Sequence, residues 1–161
     1  MKKFMELHGK AQPWLNLLGR LVLGIVLFLA GYLKAKAPAE AAMSVRAYEV
    51  LPIPVANILG YSLPWLEIGV GLLLIIGLAV KKSSILGGGL MFLFIVAIAQ
   101  AWARGLSIDC GCFGSGGQVE PGQTKYLQEI LRDAGLTAIA IYLFRYPHGK
   151  LALDKRPEIR A

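Results

Sequence analysis

The residues best suited to chemistry are two cysteines separated by one glycine. Cys110 and Cys112 are the only cysteines in the 161-residue chain, and they lie in a glycine-rich stretch between two apolar segments. Cysteine thiolates attack disulfides and bind soft metals, so two of them this close can act as a pair. A disulfide between them closes a very small ring, which Gly111 has the backbone freedom to allow. We expect a bond closed under such strain to be easily reduced, which suits exchange chemistry better than cross-linking.

Two other interpretations of the pair stay open: incidental cysteines, or half of a metal site. A tetrahedral site needs two more ligands, and the only histidines, His8 and His148, lie near the chain ends. We therefore favour redox use and expect no bound metal.

Residues around the pair would tune its reactivity. Asp109 should oppose thiolate formation, whereas Arg104 and Lys125 should favour it if the loop folds toward them. Cys112 is slightly preferred as the attacking residue, because it lies farther from Asp109. Phe113 gives the loop an apolar edge that suits either an extended partner segment or the membrane.

The composition indicates an integral membrane protein. Hydrophobic residues make up 56% of the chain and charged residues 17%, and three long apolar runs account for the excess over a soluble domain. The net charge of +7 is compatible with nucleic-acid binding, but the basic residues lie beside the apolar runs, chiefly at the two ends. Membrane topology explains this placement better. We expect contact with the lipid bilayer and no nucleic-acid partner.

The apolar pattern predicts an all-α bundle of four membrane-spanning helices, forming one domain over residues 15–146. A segment of residues 1–14 precedes it, and a basic tail of residues 147–161 follows it. The expected spans are approximately 15–35, 55–80, 84–104 and 124–146, with the cysteine loop at 105–123.

Prolines mark two features between and within these spans. Pro38 and Pro52 bracket a short amphipathic helix that should lie at the membrane interface, with a plain loop as the alternative. Pro64 should kink or break the second span.

The fourth span is the weakest prediction, because its apolar part is short. Extending it back to Tyr126 restores the length but includes Glu129, Arg132 and Asp133. These charges can pair along one helix face. We expect a helix whose outer end, where Arg132 and Asp133 lie, is polar and packed against protein.

The basic residues predict the orientation. Four spans place both termini and the Lys81–Lys82 turn on one side, and the cysteine loop on the other. The first side carries ten basic residues and the second five, with Arg132 at the boundary. The first set is Lys2, Lys3, Lys10, Lys81, Lys82, Arg145, Lys150, Lys155, Arg156 and Arg160, and the second is Lys34, Lys36, Arg46, Arg104 and Lys125. The positive-inside rule then puts both termini in the cytoplasm and the loop outside the cell membrane, where disulfides persist.

Two ionisable residues lie inside the apolar runs. Glu67 is near the centre of the second span, where a carboxylate is costly and therefore a candidate for function. Arg20, in the first span, is expected either to pair with Glu67 or to extend to the cytoplasmic surface. The expected role of Glu67 is structural or proton-handling, with neither favoured.

Several short motifs resemble the MauE branch of the DoxX-like membrane proteins, which are small, four-helical and associated with redox processes. The resemblance covers about residues 15–146. Its most specific part is Cys110-Gly111-Cys112-Phe113-Gly114. The other matching positions are Gly31 and Lys34, residues 63–69, Arg104-Gly105 and residues 130–136. Many relatives carry Asn where this chain has Asp133.

The resemblance implies participation in disulfide formation or maturation of exported proteins, beside thioredoxin-fold partners. No cofactor is required. Related four-helix oxidoreductases that pass electrons to quinone use a Cys-x-x-Cys pair, which this chain lacks. The sequence therefore permits quinone as a cofactor but does not support it. Two alternatives remain: a non-catalytic membrane scaffold or chaperone, and a small transporter or copper-handling protein. The oligomeric state and the client are not predicted.

Overall fold

Prolines and glycines mark several of the helix boundaries. The computed structural model describes residues 2–111, 116–120 and 122–153, with side chains from residue 11 onward. Within these residues there are five helices and one two-stranded sheet. They run in the order α1 (Lys2–Lys36), α2 (Pro38–Ala47), α3 (Ile53–Ile76), α4 (Val80–Ala103), β1 (Ile108–Cys110), β2 (Gly116–Gln118) and α5 (Tyr126–Arg145).

The short helix predicted between two prolines is α2. Pro38 occupies its first turn, where the missing N–H costs nothing. The helix ends at Ala47, several residues before Pro52, because the chain turns at Glu49, whose φ of 51° is left-handed. Pro52 then caps the start of α3.

The break predicted at Pro64 is absent, since α3 is one continuous helix through this residue. A proline removes one backbone hydrogen bond from a helix, and the packing of α3 against its neighbours compensates for that loss. The helix ends instead at Gly77, which has a left-handed φ of 76° and donates its N–H to the carbonyls of Leu73 and Leu74.

Four long helices, α1, α3, α4 and α5, pack side by side through small residues. Gly24 of α1 lies against Gly71 of α3, where an added Cβ would come within 2.9 Å of the Gly71 carbonyl oxygen. Gly88 of α4 meets Ala140 of α5 in the same way. Such contacts let helix backbones approach closely. The buried core between them consists of Leu23, Leu27, Val70, Leu74, Val80, Met91, Leu136, Ala140 and Leu143.

Three of these helices are long and apolar enough to cross a membrane: Ala11–Lys36, Ile53–Ile76 and Val80–Ala103. Large apolar side chains on their outer faces are exposed, among them Ile58 and Trp65 at 68%. An apolar belt of this extent needs lipid or protein to cover it. The helical class and the membrane character are thereby confirmed. The helix α5 is not among the three, because its first two turns carry Glu129, Arg132 and Asp133.

The all-α prediction needs one correction, since the cysteine segment contains a small antiparallel sheet. The pairing is Ile108 with Gln118, and Cys110 with Gly116. The glycines in this stretch predict a loop. Side chains at α2 and on α5 hold the two strands in place. The local sequence does not reveal these contacts.

The chain after α5 folds back on the first half of α1. The Asn16 side-chain amide donates a hydrogen bond to the Tyr146 carbonyl. The Arg20 guanidinium donates to the Leu151 carbonyl at 3.3 Å. Both side chains are fully buried. This end of the bundle is therefore closed by residues that follow the last helix.

Candidate functional site

The predicted chemistry centres on Cys110, which ends strand β1 at the end of the bundle that also carries α2. The Val119 N–H donates to the Ser107 carbonyl at 2.9 Å and extends the pairing beyond the two strands. Cys112, Phe113 and Gly114, three of the predicted site residues, lie outside the described residues. Cys110 is half-buried and disulfide-bonded.

Helix α5 fixes strand β1 through one tyrosine. The Tyr126 hydroxyl accepts a hydrogen bond from the Ile108 N–H at 3.1 Å and donates one to the Leu106 carbonyl. Tyr126 and Ile108 are both buried and pack with Ile98 and Ala101 of α4. Because these groups satisfy each other away from water, they define the position of the strand.

Helix α2 fixes the other side of the cysteine segment. The Tyr48 hydroxyl donates to the Cys110 carbonyl at 3.3 Å. Ser44 is buried, and its side chain lies so close to Gly111 and Gly116 that an added Cβ at either glycine would collide with it. Gly111 also has a left-handed φ of 67°, as a tight turn requires. The glycines thus serve close packing as well as turning.

Two carboxylates surround the Cys110 sulfur. Side-chain oxygens of Asp109 and Glu129 and the Cys110 Sγ all lie within 4.8 Å of one another. Asp109 Oδ1 accepts the Gly111 N–H at 3.3 Å. Glu129 accepts the Cys110 backbone N–H. Negative charge at this distance opposes thiolate formation, as expected for Asp109, but Glu129 contributes too, and sequence reasoning missed it.

Tyr48 completes this environment as a neutral donor. Burial, followed by the nearby Glu129 carboxylate, raises the pKa of the Tyr48 hydroxyl well above its usual range. The phenol is therefore protonated at all physiological pH values and keeps its hydrogen bond to the Cys110 carbonyl.

Arg104 is not part of the sulfur environment in the described residues. Its guanidinium donates to the Tyr48 carbonyl at 3.0 Å and forms an ion pair with Glu49 at 3.4 Å. The Gln100 side-chain amide donates to the same Tyr48 carbonyl at 3.4 Å. Arg104 thus holds the end of α2, and the prediction that it favours the thiolate gains no support.

A second polar group lies inside the bundle. Lys34 Nζ and Glu67 Oε1 are 2.6 Å apart, and both side chains are buried, at 6% and 0% exposure. The ammonium also lies 5.0 Å from the centre of the Phe94 ring. Asp133 is buried beside them, bonded to Arg132 at 2.9 Å and interacting electrostatically with Lys34.

Of the two alternatives expected for Arg20, the structure does not show the pairing with Glu67, because Lys34 takes that place. Arg20 precedes Lys34 by fourteen residues, or about 21 Å along a helix, which puts it at the opposite end of the bundle. Instead Arg20 binds the segment after α5. The sequence places Lys34 at the end of the first span, among the basic residues of the second side, and gives it no partner. An added Cβ at Gly31 would come within 2.9 Å of the Glu67 Cβ.

Comparison with known proteins agrees with the motifs. The sequence profile of the family described as "Methylamine utilisation protein MauE" matches residues 12–146. A curated relative, "Methylamine utilization protein MauE" of Methylorubrum extorquens, is 36% identical over 107 residues. The aligned region is 66% of this chain and 58% of the relative, so the chain spans little more than half of that protein's length. No solved structure matches the chain.

Proposed function

The chain belongs to the MauE family of membrane proteins, and from that premise we propose that it exchanges disulfides with exported proteins through Cys110 and Cys112. The observation that carries this proposal is the disulfide-bonded, half-buried Cys110, held by two tyrosines on a hairpin with two carboxylates beside its sulfur. The proposed clients and partners are exported thiol proteins, including thioredoxin-fold proteins.

The proposed topology has four spans, with α5 as the fourth. Although α5 carries charges in its first half, Asp133 is buried among other charged groups and its apolar residues join the bundle core. Buried and paired charges are tolerated within a membrane domain. The basic residues then assign the cysteine hairpin to the outer face of the cytoplasmic membrane and both termini to the cytoplasm.

The proposed chemistry is thiol–disulfide exchange, which needs no bound cofactor. A client thiolate attacks the loop disulfide and forms a mixed disulfide with one loop cysteine, while the other leaves as a thiolate. The second client thiolate then attacks the client sulfur, so that the client gains a disulfide and the loop becomes a dithiol. In the opposite direction a loop thiolate attacks a partner protein's disulfide, the neighbouring cysteine resolves the mixed disulfide, and the partner leaves reduced.

A scaffold function is the second candidate, because the surroundings of Cys110 also suit a structural bond. The residue packs at the edge of a buried cluster, and its backbone is hydrogen-bonded on both sides. In that case the disulfide shapes a docking surface and is permanently oxidised in cells. A copper-handling function is less well supported, since the potential ligands near Cys110 among the described residues are carboxylates, whereas copper(I) prefers sulfur.

Thiol trapping in intact cells tests the proposal. We expect a membrane-impermeant maleimide to label the reduced loop without permeabilisation. We also expect Cys110→Ser, which retains Cys112, to accumulate mixed disulfides that disappear with reductant on gels. The loop in the unaltered protein should be a mixture of oxidised and reduced forms that shifts with added reductant.

The double variant Cys110→Ser, Cys112→Ser provides the control for trapping and should form no mixed disulfide. Placing Lys81→Cys in that background reports the other face, because Lys81 is exposed at the start of α4. This cysteine should react only after permeabilisation. Cytosolic labelling of the loop, or a loop that never leaves the oxidised state while clients mature, would overturn the exchange proposal; the second result would favour the scaffold.

A further inference from the structure

Helix α5 brings a proton-bearing group to the cysteine that the sequence motif does not include. We propose that Glu129 exchanges the proton that Cys110 gains and loses as its disulfide opens and closes. This inference rests on the proposed exchange function and assigns a further residue to it. Glu129 lies nineteen residues after Cys110 in the sequence, so only the packing of the hairpin on α5 joins them.

The carboxylate is oriented by the cysteine itself. It accepts the Cys110 backbone N–H, and one of its oxygens, together with an Asp109 oxygen, lies within 4.8 Å of the Cys110 Sγ. Oε2 of Glu129 is buried and has no hydrogen-bond partner among the described residues. The Glu129 carboxylate thus interacts with the Cys110 backbone and keeps a buried oxygen with the capacity for a proton or a hydrogen bond.

Opening and closing the disulfide requires a group that gives a proton to Cys110 and takes it back. When a thiolate from another molecule attacks the sulfur bonded to Cys110, that bond breaks and Cys110 leaves with the electron pair. The leaving thiolate takes the proton from the acid form of Glu129 and becomes a thiol. In the reverse direction the Glu129 carboxylate takes the thiol proton as Cys110 forms its new sulfur–sulfur bond. General acid–base assistance of this kind lowers the barrier where solvent is partly excluded.

The other groups facing Glu129 are less suited to the task. Asp109, on β1, uses Oδ1 to accept the Gly111 N–H at 3.3 Å. Tyr48, at the end of α2, is a neutral donor whose hydroxyl bonds the Cys110 carbonyl. On α5 itself, the Tyr126 hydroxyl is used by strand β1. The remaining charged neighbours on α5, Arg132 and Asp133, are paired with each other.

The test compares two carboxylates, Asp109 and Glu129, that both lie within 4.8 Å of the sulfur. The full-length protein, reconstituted in lipid nanodiscs, is reduced with dithiothreitol, and the rate of loop opening is followed by acid quenching and thiol labelling. Rates are divided by the thiolate fraction of dithiothreitol at each pH. We expect Glu129→Gln to slow opening about tenfold or more at neutral pH, below the usual ~10²–10⁴ for acid–base catalysis because thiols ionise readily. Asp109→Asn should accelerate it, because a charge that repels the attacking thiolate is removed.

The pH profile and chemical rescue separate proton transfer from a structural effect. The corrected rate of the unaltered protein should fall as Glu129 loses its proton, whereas the Glu129→Gln profile should be flat. Added formic acid buffer should restore part of the lost rate. If Glu129→Gln accelerates loop opening, the carboxylate acts only as a charge that repels the attacking thiolate. If Glu129→Gln lowers the rate equally at every pH and formic acid does not restore it, Glu129 has a structural role. Either result overturns the inference. If the unaltered loop cannot be opened by dithiothreitol at all, the exchange function itself fails.

Discussion

Lys34→Met is expected to destabilise the bundle by about 3–5 kcal/mol, because it leaves the buried Glu67 carboxylate without its partner. The double variant Lys34→Met, Glu67→Gln should recover much of this loss, since it removes both charges together. Unfolding of the purified full-length chain in mixed detergent micelles, followed by helical circular dichroism, measures the change. The coupling between the two substitutions gives the interaction itself.

Lys36→Met provides a matched control on the same helix. Lys36 is exposed and lies 4.7 Å from the Tyr32 ring centre, so its removal should cost no more than about 1 kcal/mol. Equal effects of Lys34→Met and Lys36→Met would contradict a structural role for the buried pair. An unchanged free energy of unfolding combined with altered loop exchange would instead favour the proton-handling role predicted for Glu67.

Gly60→Leu is expected to displace α2 from α3 and to loosen the cysteine hairpin with it. An added Cβ at Gly60 would come within 2.9 Å of the Ala42 nitrogen and 3.1 Å of the Ala41 oxygen, both rigid backbone atoms. Overpacking of this kind costs about 1–3 kcal/mol or more. Because Ser44 and Tyr48 hold Cys110 and its neighbours, the loop disulfide should also become easier to reduce.

Gly69→Leu is the matched control for this substitution. Gly69 is on the same helix, nine residues further on and therefore on the opposite face, and an added Cβ there would meet nothing within 4 Å. We expect normal stability and normal loop reduction. A Gly60→Leu protein with the loop reduction rate of the unaltered protein would show that α2 does not position the hairpin.

The parts of the fold that follow from the sequence are those set by local rules. Long apolar runs predict the helices, and Pro38 predicts the start of α2. The two-stranded sheet cannot be predicted from the sequence, because its strands are held by Tyr48 and Tyr126. Tyr48 lies 62 residues before Cys110, and Tyr126 belongs to α5. Periodicity indicates which face of a helix is apolar, but it does not identify the partner of a buried charge.

The sequence likewise identifies the residues of the site but not the contacts between them. The Cys-Gly-Cys spacing identifies the sulfur chemistry, and the family motifs mark Lys34, Glu67 and Asp133 without showing that they meet. Their assembly depends on the antiparallel register of α1 and α3, where Gly31 lies beside Glu67. Glu129 could be noticed only as one charge among several at the start of a weakly predicted helix.

The closure of one end of the bundle by residues after α5 has a consequence for biosynthesis. The acceptors of Asn16 and Arg20 are separated from them by 130 and 131 residues. While the nascent chain is being translated, the first helix therefore enters the bilayer before the carbonyls that its buried amide and guanidinium bind have been made. In the proposed four-span topology, this end of the protein therefore completes its packing only after residue 151 has been translated, and not during insertion of the first span.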